Sequence, residues 1–339
     1  MEQMKNEVIQ VIGYGGAEVL RTVRTELPVP REDEVRVRVL AAGVALADVM
    51  RRKGVYPGTP APPFTPGYDI VGIIEEAGKQ VRPARIGTRV AVFLGGLGGY
   101  ARYVCVPETD IVELPDNVSE QAAAAVILNY VTAWQLLRRA ADVQPGASVL
   151  VHGASGGVGT ALLELGGHLG LKLYGTASGR KHGQLARYSA ELIDYAAADF
   201  VARMAELAPE GVDAVFDPIG PANWQRSLAV VKPGGQLIGY GFTTVTNDAA
   251  AAEGVAEAWR GLDDPAFGGG RCRTATYSVT GCYKDDPAAF RDDLQLLLGW
   301  LAAGRIRPQV AEVYPLERVA DAHRELEDGG AVGKIVLKV

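Results

Sequence analysis

In the first third of the chain apolar residues alternate with charged ones, most plainly in Glu34-Val35-Arg36-Val37-Arg38-Val39, where the valines share one face of a period-two pattern. That spacing predicts a strand with one buried face. Ile70–Glu75, Arg89–Phe93 and Tyr100–Val106 read the same way between Gly and Pro turns. Together they predict a mostly antiparallel β-barrel. After Pro115 the period changes: Ser119–Leu137 reads as a helix, with Ser119 as N-cap and Glu120 and Gln121 in its first turn. Further on, short apolar runs alternate with helical segments, at Val149–Val151, Leu171–Thr176, Leu192–Asp194, Ala214–Asp217, Gln236–Tyr240 and Thr276–Thr280. Such runs predict parallel strands in a doubly wound sheet covered on both faces.

The chain thus divides by pattern. Residues 1–122 and 286–339 are expected to form the barrel domain, the final strand Lys334–Lys338 returning to complete it, and residues 123–285 the doubly wound domain. Between Thr243 and Arg273 lies an irregular Ala- and Gly-rich stretch, with a helix expected near Ala249–Leu262. It reads either as a lid or as a disordered insertion.

Composition narrows the function. At 339 residues the chain suits two cores, and 48% hydrophobic with 22% charged residues is ordinary for a globular protein. A net charge of −6 argues against nucleic acid as a partner. Met1–Gln10 lacks the apolar core of a signal peptide, and the longest apolar tract, Ala122–Leu137, is broken by Asn129, Thr132 and Gln135 and falls short of a membrane span. A cytoplasmic location is the expectation. The three cysteines, Cys105, Cys272 and Cys282, have no paired metal spacing, and among the four histidines His152 and His168 read as packing or hydrogen-bonding groups.

The chemistry centres on Ala147–Gly170, a buried strand, a glycine-rich turn and a helix. Ala154, Gly156 and Gly159 occupy the fingerprint positions of a dinucleotide-binding turn, with Ala in the first. Ala154, Ser155, Gly156, Gly157 and Val158 are therefore expected against the pyrophosphate, where the unpaired amides of the helix start favour an anion. The next strand ends in Thr176-Ala177-Ser178-Gly179-Arg180-Lys181-His182, with no carboxylate to hold a free ribose hydroxyl. Ser178, Arg180 and Lys181 suit a 2′-phosphate instead, with Tyr195 near it, so NADPH is the expected cofactor.

In its ordered motifs the chain resembles the medium-chain dehydrogenase/reductase superfamily, and within it the zinc-independent quinone oxidoreductases of the zeta-crystallin and vesicle amine transport protein type. The motifs are Gly43-Val44-Ala45-Leu46-Ala47-Asp48, Gly54-Val55-Tyr56-Pro57, Thr65-Pro66-Gly67-Tyr68-Asp69-Ile70-Val71-Gly72, the glycine-rich turn and Gly333-Lys334-Ile335-Val336. The resemblance implies a GroES-like barrel domain joined to a Rossmann domain. Where zinc-dependent members carry a metal-binding Cys and His, this chain has Ala45 and Tyr68, and the cysteine-rich lobe of a structural zinc is missing between Phe93 and Tyr103. Without such a Lewis acid, reduction of an activated acceptor is implied rather than alcohol oxidation. By the same match Tyr56 is a donor to the substrate oxygen, Asp48 a structural acid, Thr132 lies near the nicotinamide or its pyrophosphate, and Gly241 and Phe242 lie beside the nicotinamide ribose. Ala45 and Met50 depart from the Asn and Tyr of many quinone reductases and make the pocket more apolar. The resemblance also implies a homodimer joined through the sheet edge near Thr276–Thr280. Three readings remain open: a reductase of quinones or α,β-unsaturated carbonyls, an enoyl reductase acting on acyl or polyketide thioesters, and a non-catalytic nucleotide-binding or vesicle-associated protein.

Overall fold

A computed structural model describes residues 5–82, 85–246 and 254–339. In chain order the strands are β1 (Lys5–Val11), β2 (Leu20–Glu26), β3 (Glu34–Val44), β4 (Asp69–Ala77), β5 (Arg89–Phe93), β6 (Tyr103–Pro107) and β7 (Ile111–Glu113). There follow β8 (Ser148–Val151), β9 (Lys172–Ala177), β10 (Glu191–Asp194), β11 (Val212–Asp217), β12 (Val231–Gly239) and β13 (Arg273–Thr276), then β14 (Val310–Pro315) and β15 (Lys334–Lys338). They fall into two compact units, one of Met1–Val131 with Tyr283–Val339 and one of Thr132–Cys282.

The first unit holds a seven-stranded sheet in the order β14-β15-β3-β4-β5-β7, with β6 also paired to β3, and the hairpin β1-β2. All pairings are antiparallel except β14 with β15. The alternation in β3 is the cause: Val35, Val37 and Val39 are buried in a core with Ile70, Ile74, Val90 and Val92. Each buried valine contributes roughly 1.5–3 kcal/mol. The last strand returns as expected, pairing Ile335 with Val44 and Leu337 with Ala42. Its pairing with β3 joins the last strand to the first part of the chain in one sheet.

The second unit carries a six-stranded parallel sheet in the order β10-β9-β8-β11-β12-β13. Val149, Leu150 and Val151 are wholly buried, as strands covered on both faces must be. The strand order reverses between β8 and β11, so the carboxyl ends of these strands flank a crevice of the kind where ligands bind in open α/β sheets.

The helix expected over Ser119–Leu137 is a continuous helical stretch from Glu120 to Ala140 with two wide, π-type turns, and the Ser119 hydroxyl accepts from the Ala122 N–H at its start. The strand expected at Thr276–Thr280 is instead β13, Arg273–Thr276, and Val279–Asp285 is helical. Hydrogen bonding explains the shift: Ser278 caps the following turn, its Oγ accepting from the Gly281 N–H and its carbonyl from the Cys282 N–H. Within the irregular stretch a helix covers Val255–Gly261, while the first part of the helix expected near Ala249 lies outside the described residues.

Candidate functional site

In the second unit the expected residues other than Thr132, which lies on the helix Val131–Gln135, each follow the carboxyl end of a strand of the parallel sheet. The turn after β8 enters the helix Gly157–His168, with Gly156 as its N-cap. Gly153 has φ +64°, and a Cβ on Gly159 would stand 2.2 Å from the Gly153 carbonyl oxygen and 2.7 Å from the Ala154 Cα. Only glycine fits where the helix start packs on the turn, and Val158 stands between these close-packed positions in the first helical turn. Ala154 is fully buried, and its N–H donates to the Thr176 carbonyl at 3.0 Å, tying the turn to β9.

After β9, Ser178 begins a tight turn through Gly179, Arg180 and Lys181. Arg180 is exposed, whereas Lys181 is 8% exposed and its Nζ lies 3.3 Å from the Ser155 hydroxyl. That contact carries the cation onto the glycine-rich turn. Burial, and then the charge of Arg180, hold the Lys181 ammonium below the ordinary lysine range. Tyr195 follows β10 and is 61% exposed.

One residue here escaped the sequence reading. Parallel pairing sets Asp194 beside Ala177, and a Cβ on Gly179 would stand 2.5 Å from its Oδ2. A search along the segment after β9 misses this carboxylate because it comes from the neighbouring strand. Its Oδ1 accepts from the Ala196 N–H at 3.0 Å.

Beneath the edge a buried chain of side chains fixes the strand ends. His152 Nδ1 is 3.0 Å from Thr176 Oγ1 and Nε2 is 3.1 Å from Ser227 Oγ, which donates to Asp217 Oδ2 at 2.8 Å. Burial holds the His152 imidazole below its usual pKa, so it is neutral and joins β8, β9 and β11. Beyond β12, Gly241 packs on Pro218, and the Phe242 ring meets Trp259 edge-on at 5.5 Å. The Phe242 side chain is therefore spent on the core. Thr132 is 5% exposed, and its Oγ1 has no hydrogen-bond partner among the described residues. A buried hydroxyl left open is an unmet binding capacity. Tight glycines, a helix N-terminus, a cation on the turn and an open hydroxyl together fit a phosphorylated dinucleotide.

In the first unit Tyr56 lies after the helix Leu46–Lys53. The Arg51 guanidinium stands over its ring at 4.5 Å, and its hydroxyl is hydrogen-bonded with Tyr68. Burial first, then the neighbouring Tyr56, push the Tyr68 phenol well above its usual pKa, so Tyr68 keeps its proton. Asp48 is wholly buried: it accepts from the N–H groups of Ala45 and Gly67 and from the Tyr100 hydroxyl, at 2.9, 3.1 and 2.9 Å. That is a structural role. Ala45 is the N-cap of the same helix, and Met50 lies within it, buried. Among the described residues no group of three or more His, Cys, Asp or Glu is placed to hold a metal ion.

Comparison with known proteins follows the same division. Residues 31–116 match the family model of the alcohol dehydrogenase GroES-like domain, and residues 189–337 that of the zinc-binding dehydrogenases. The human synaptic vesicle membrane protein VAT-1 homolog-like is 32% identical over 338 residues, covering 98% of this chain and 80% of the relative. Human quinone oxidoreductase is 31% identical over 336 residues, covering 97% and 96%. The crystal structure of Escherichia coli quinone oxidoreductase complexed with NADPH superposes with a TM-score of 0.86 at 28% identity, covering 98% of this chain and all of the other.

Proposed function

Because this chain belongs to the medium-chain dehydrogenase/reductase superfamily, we propose that it is a zinc-independent, NADPH-dependent reductase of quinones or α,β-unsaturated carbonyls. The observation that carries the reading is Lys181, a buried cation brought from the end of β9 onto the glycine-rich turn at Ser155. The relatives named as quinone oxidoreductases support it, one of them solved with NADPH.

Ala154, Ser155, Gly156, Gly157 and Val158 would hold the pyrophosphate with turn and helix-start amides. Ser178, Arg180 and Lys181 would take the 2′-phosphate, with Tyr195 beside it. Thr132 would offer its open hydroxyl near the nicotinamide, with the main chain of Gly241 and Phe242. When bound, the reduced nicotinamide supplies hydride to the acceptor. Tyr56 would hydrogen-bond the acceptor oxygen and deliver the proton, its ring held by Arg51. With Ala45 and Tyr68 at the positions of the metal ligands in the zinc-dependent branch, orientation and hydrogen bonding fall to these side chains.

NADH is the second cofactor reading, carried by the Asp194 carboxylate against Gly179. Paired titrations decide. Lys181→Glu is expected to weaken NADPH by about tenfold or more and NADH far less, a difference of one charge-assisted contact. Equal losses for the two nucleotides, or an Asp194→Asn variant that loses NADH alone while wild type prefers NADH, would refute the 2′-phosphate assignment. A turnover screen separates substrates: enoyl thioesters reduced with quinones ignored would select the enoyl reductase reading, and nucleotide binding with no turnover the non-catalytic one.

A further inference from the structure

The helix Leu46–Lys53 ends in three consecutive cations, and two of them share one counter-ion. Arg52 Nη2 lies 2.8 Å and Lys53 Nζ 2.7 Å from the Glu327 carboxylate. Arg51 is only 7% exposed, yet among the described residues it has no carboxylate within ion-pair distance. Its Nη2 is 3.4 Å from the Tyr68 hydroxyl, its Nε is buried without a hydrogen-bond partner, and its guanidinium stands 4.5 Å and 5.7 Å from the ring centres of Tyr56 and Tyr68. Asp48, one turn earlier, spends its oxygens on Ala45, Gly67 and Tyr100.

Arginine cannot shed its proton, and a buried charge without a counter-ion costs several kcal/mol. Two aromatic faces orient the guanidinium and offset part of that cost, but they supply no negative charge. Gly96, at φ +111°, keeps the adjoining loop free of a side chain here: a Cβ would stand 3.0 Å from Arg51 Nη2. The arrangement is a fixed cation with an unused donor, beside the proposed proton donor Tyr56.

We propose that Arg51 is an oxyanion-binding residue, whose guanidinium holds the acceptor oxygen on which reduction leaves negative charge. The acceptors it selects are those with a conjugated carbonyl, whose oxygen becomes a phenolate or enolate. This rests on the reductase reading above. Tyr68 and Tyr56 keep the fork aimed.

The test uses the full chain and 4-nitrophenol, whose anion is yellow and whose neutral form is colourless. Bound to wild type, the probe should ionise about one pH unit below the free probe, a tenfold preference for the anion. Arg51→Gln should remove that shift, and Arg51→Lys should retain part of it. A wild-type protein that binds no anion, a bound probe that ionises at its solution pH, or an equal shift in Arg51→Gln overturns the proposal. If Arg51→Gln does not fold, the wild-type titration decides. Nicotinamide oxidation is followed separately: an Arg51-dependent shift without turnover of any acceptor sinks the reductase reading and leaves the anion site, whereas turnover with an unshifted probe sinks the Arg51 role alone.

Discussion

His323 shows how burial changes what a single residue does. It is wholly buried, with Nε2 3.3 Å from the Tyr100 hydroxyl and Nδ1 3.4 Å from Arg52 Nη1. Burial, and then the Arg52 charge, push its pKa from 6.5 to about 3. Across that window the unfolded chain binds a proton that the folded chain refuses, so stability falls as pH drops from 6.5 toward 3. Asp48, on the far side of Tyr100, runs the other way. Burial raises its carboxyl from 3.8 to about 6 against its hydrogen bonds, so the folded state takes up its proton first and gains relative stability as pH falls through that range. In His323→Gln the His323 contribution is lost while that of Asp48 remains. Melting temperatures measured between pH 6.5 and 4 should therefore fall less in the variant than in wild type, and parallel curves would refute the assignment. Nothing in the linear sequence around His323 separates it from a surface histidine. The same holds for Arg51, which tertiary packing buries together with Arg52.

Between elements, the informative contact is Lys334 on β15 with Asp69 on β4, 3.0 Å apart and both buried. The two strands flank β3, and the ion pair crosses it at Gly43, where a Cβ would stand 2.1 Å from Asp69 Oδ1. A side chain at position 43 and this pair are mutually exclusive. Lys334→Met should cost about 3–5 kcal/mol in urea unfolding, because it strands a buried carboxylate. Asp69→Leu combined with Lys334→Met should recover much of that loss, and a double variant as unstable as the single one would count against the explanation. At this scale the strands with clear alternation or continuous apolar runs were legible, as β3, β5 and β8 show. The hairpin β1-β2 and β14 were not, because Arg21, Thr22, Arg24 and Glu26 on β2 and Glu312 on β14 are too polar for period-two reading to find. β13 was placed a few residues late because a capping serine, not hydrophobicity, ends it.

For the whole molecule the sheet orders matter most. β13 lies at an edge of the six-stranded sheet, a position that can template pairing with another chain, although its Thr276 N–H already donates to Asp263 Oδ1 at 2.6 Å. We propose that two copies of the chain pair through that edge, at Arg273–Thr276 rather than at the later segment expected from sequence. Sedimentation at micromolar concentration should show a dimer, and a monomer at all concentrations would end the idea. Among the described residues no helix is long and apolar enough to cross a membrane.

The amino-acid sequence by itself determined the two-part architecture, the glycine-rich turn and the basic segment after β9, because periodicity, glycine spacing and charge are properties of neighbours along the chain. Tertiary structure alone decided that Lys181 reaches Ser155, that Asp194 comes to lie against Gly179, that Thr132 keeps an open hydroxyl and that Arg51 is buried without a counter-ion. Each of these is a relation between residues far apart in sequence or a matter of burial, and both arise only when strands pair and cores close.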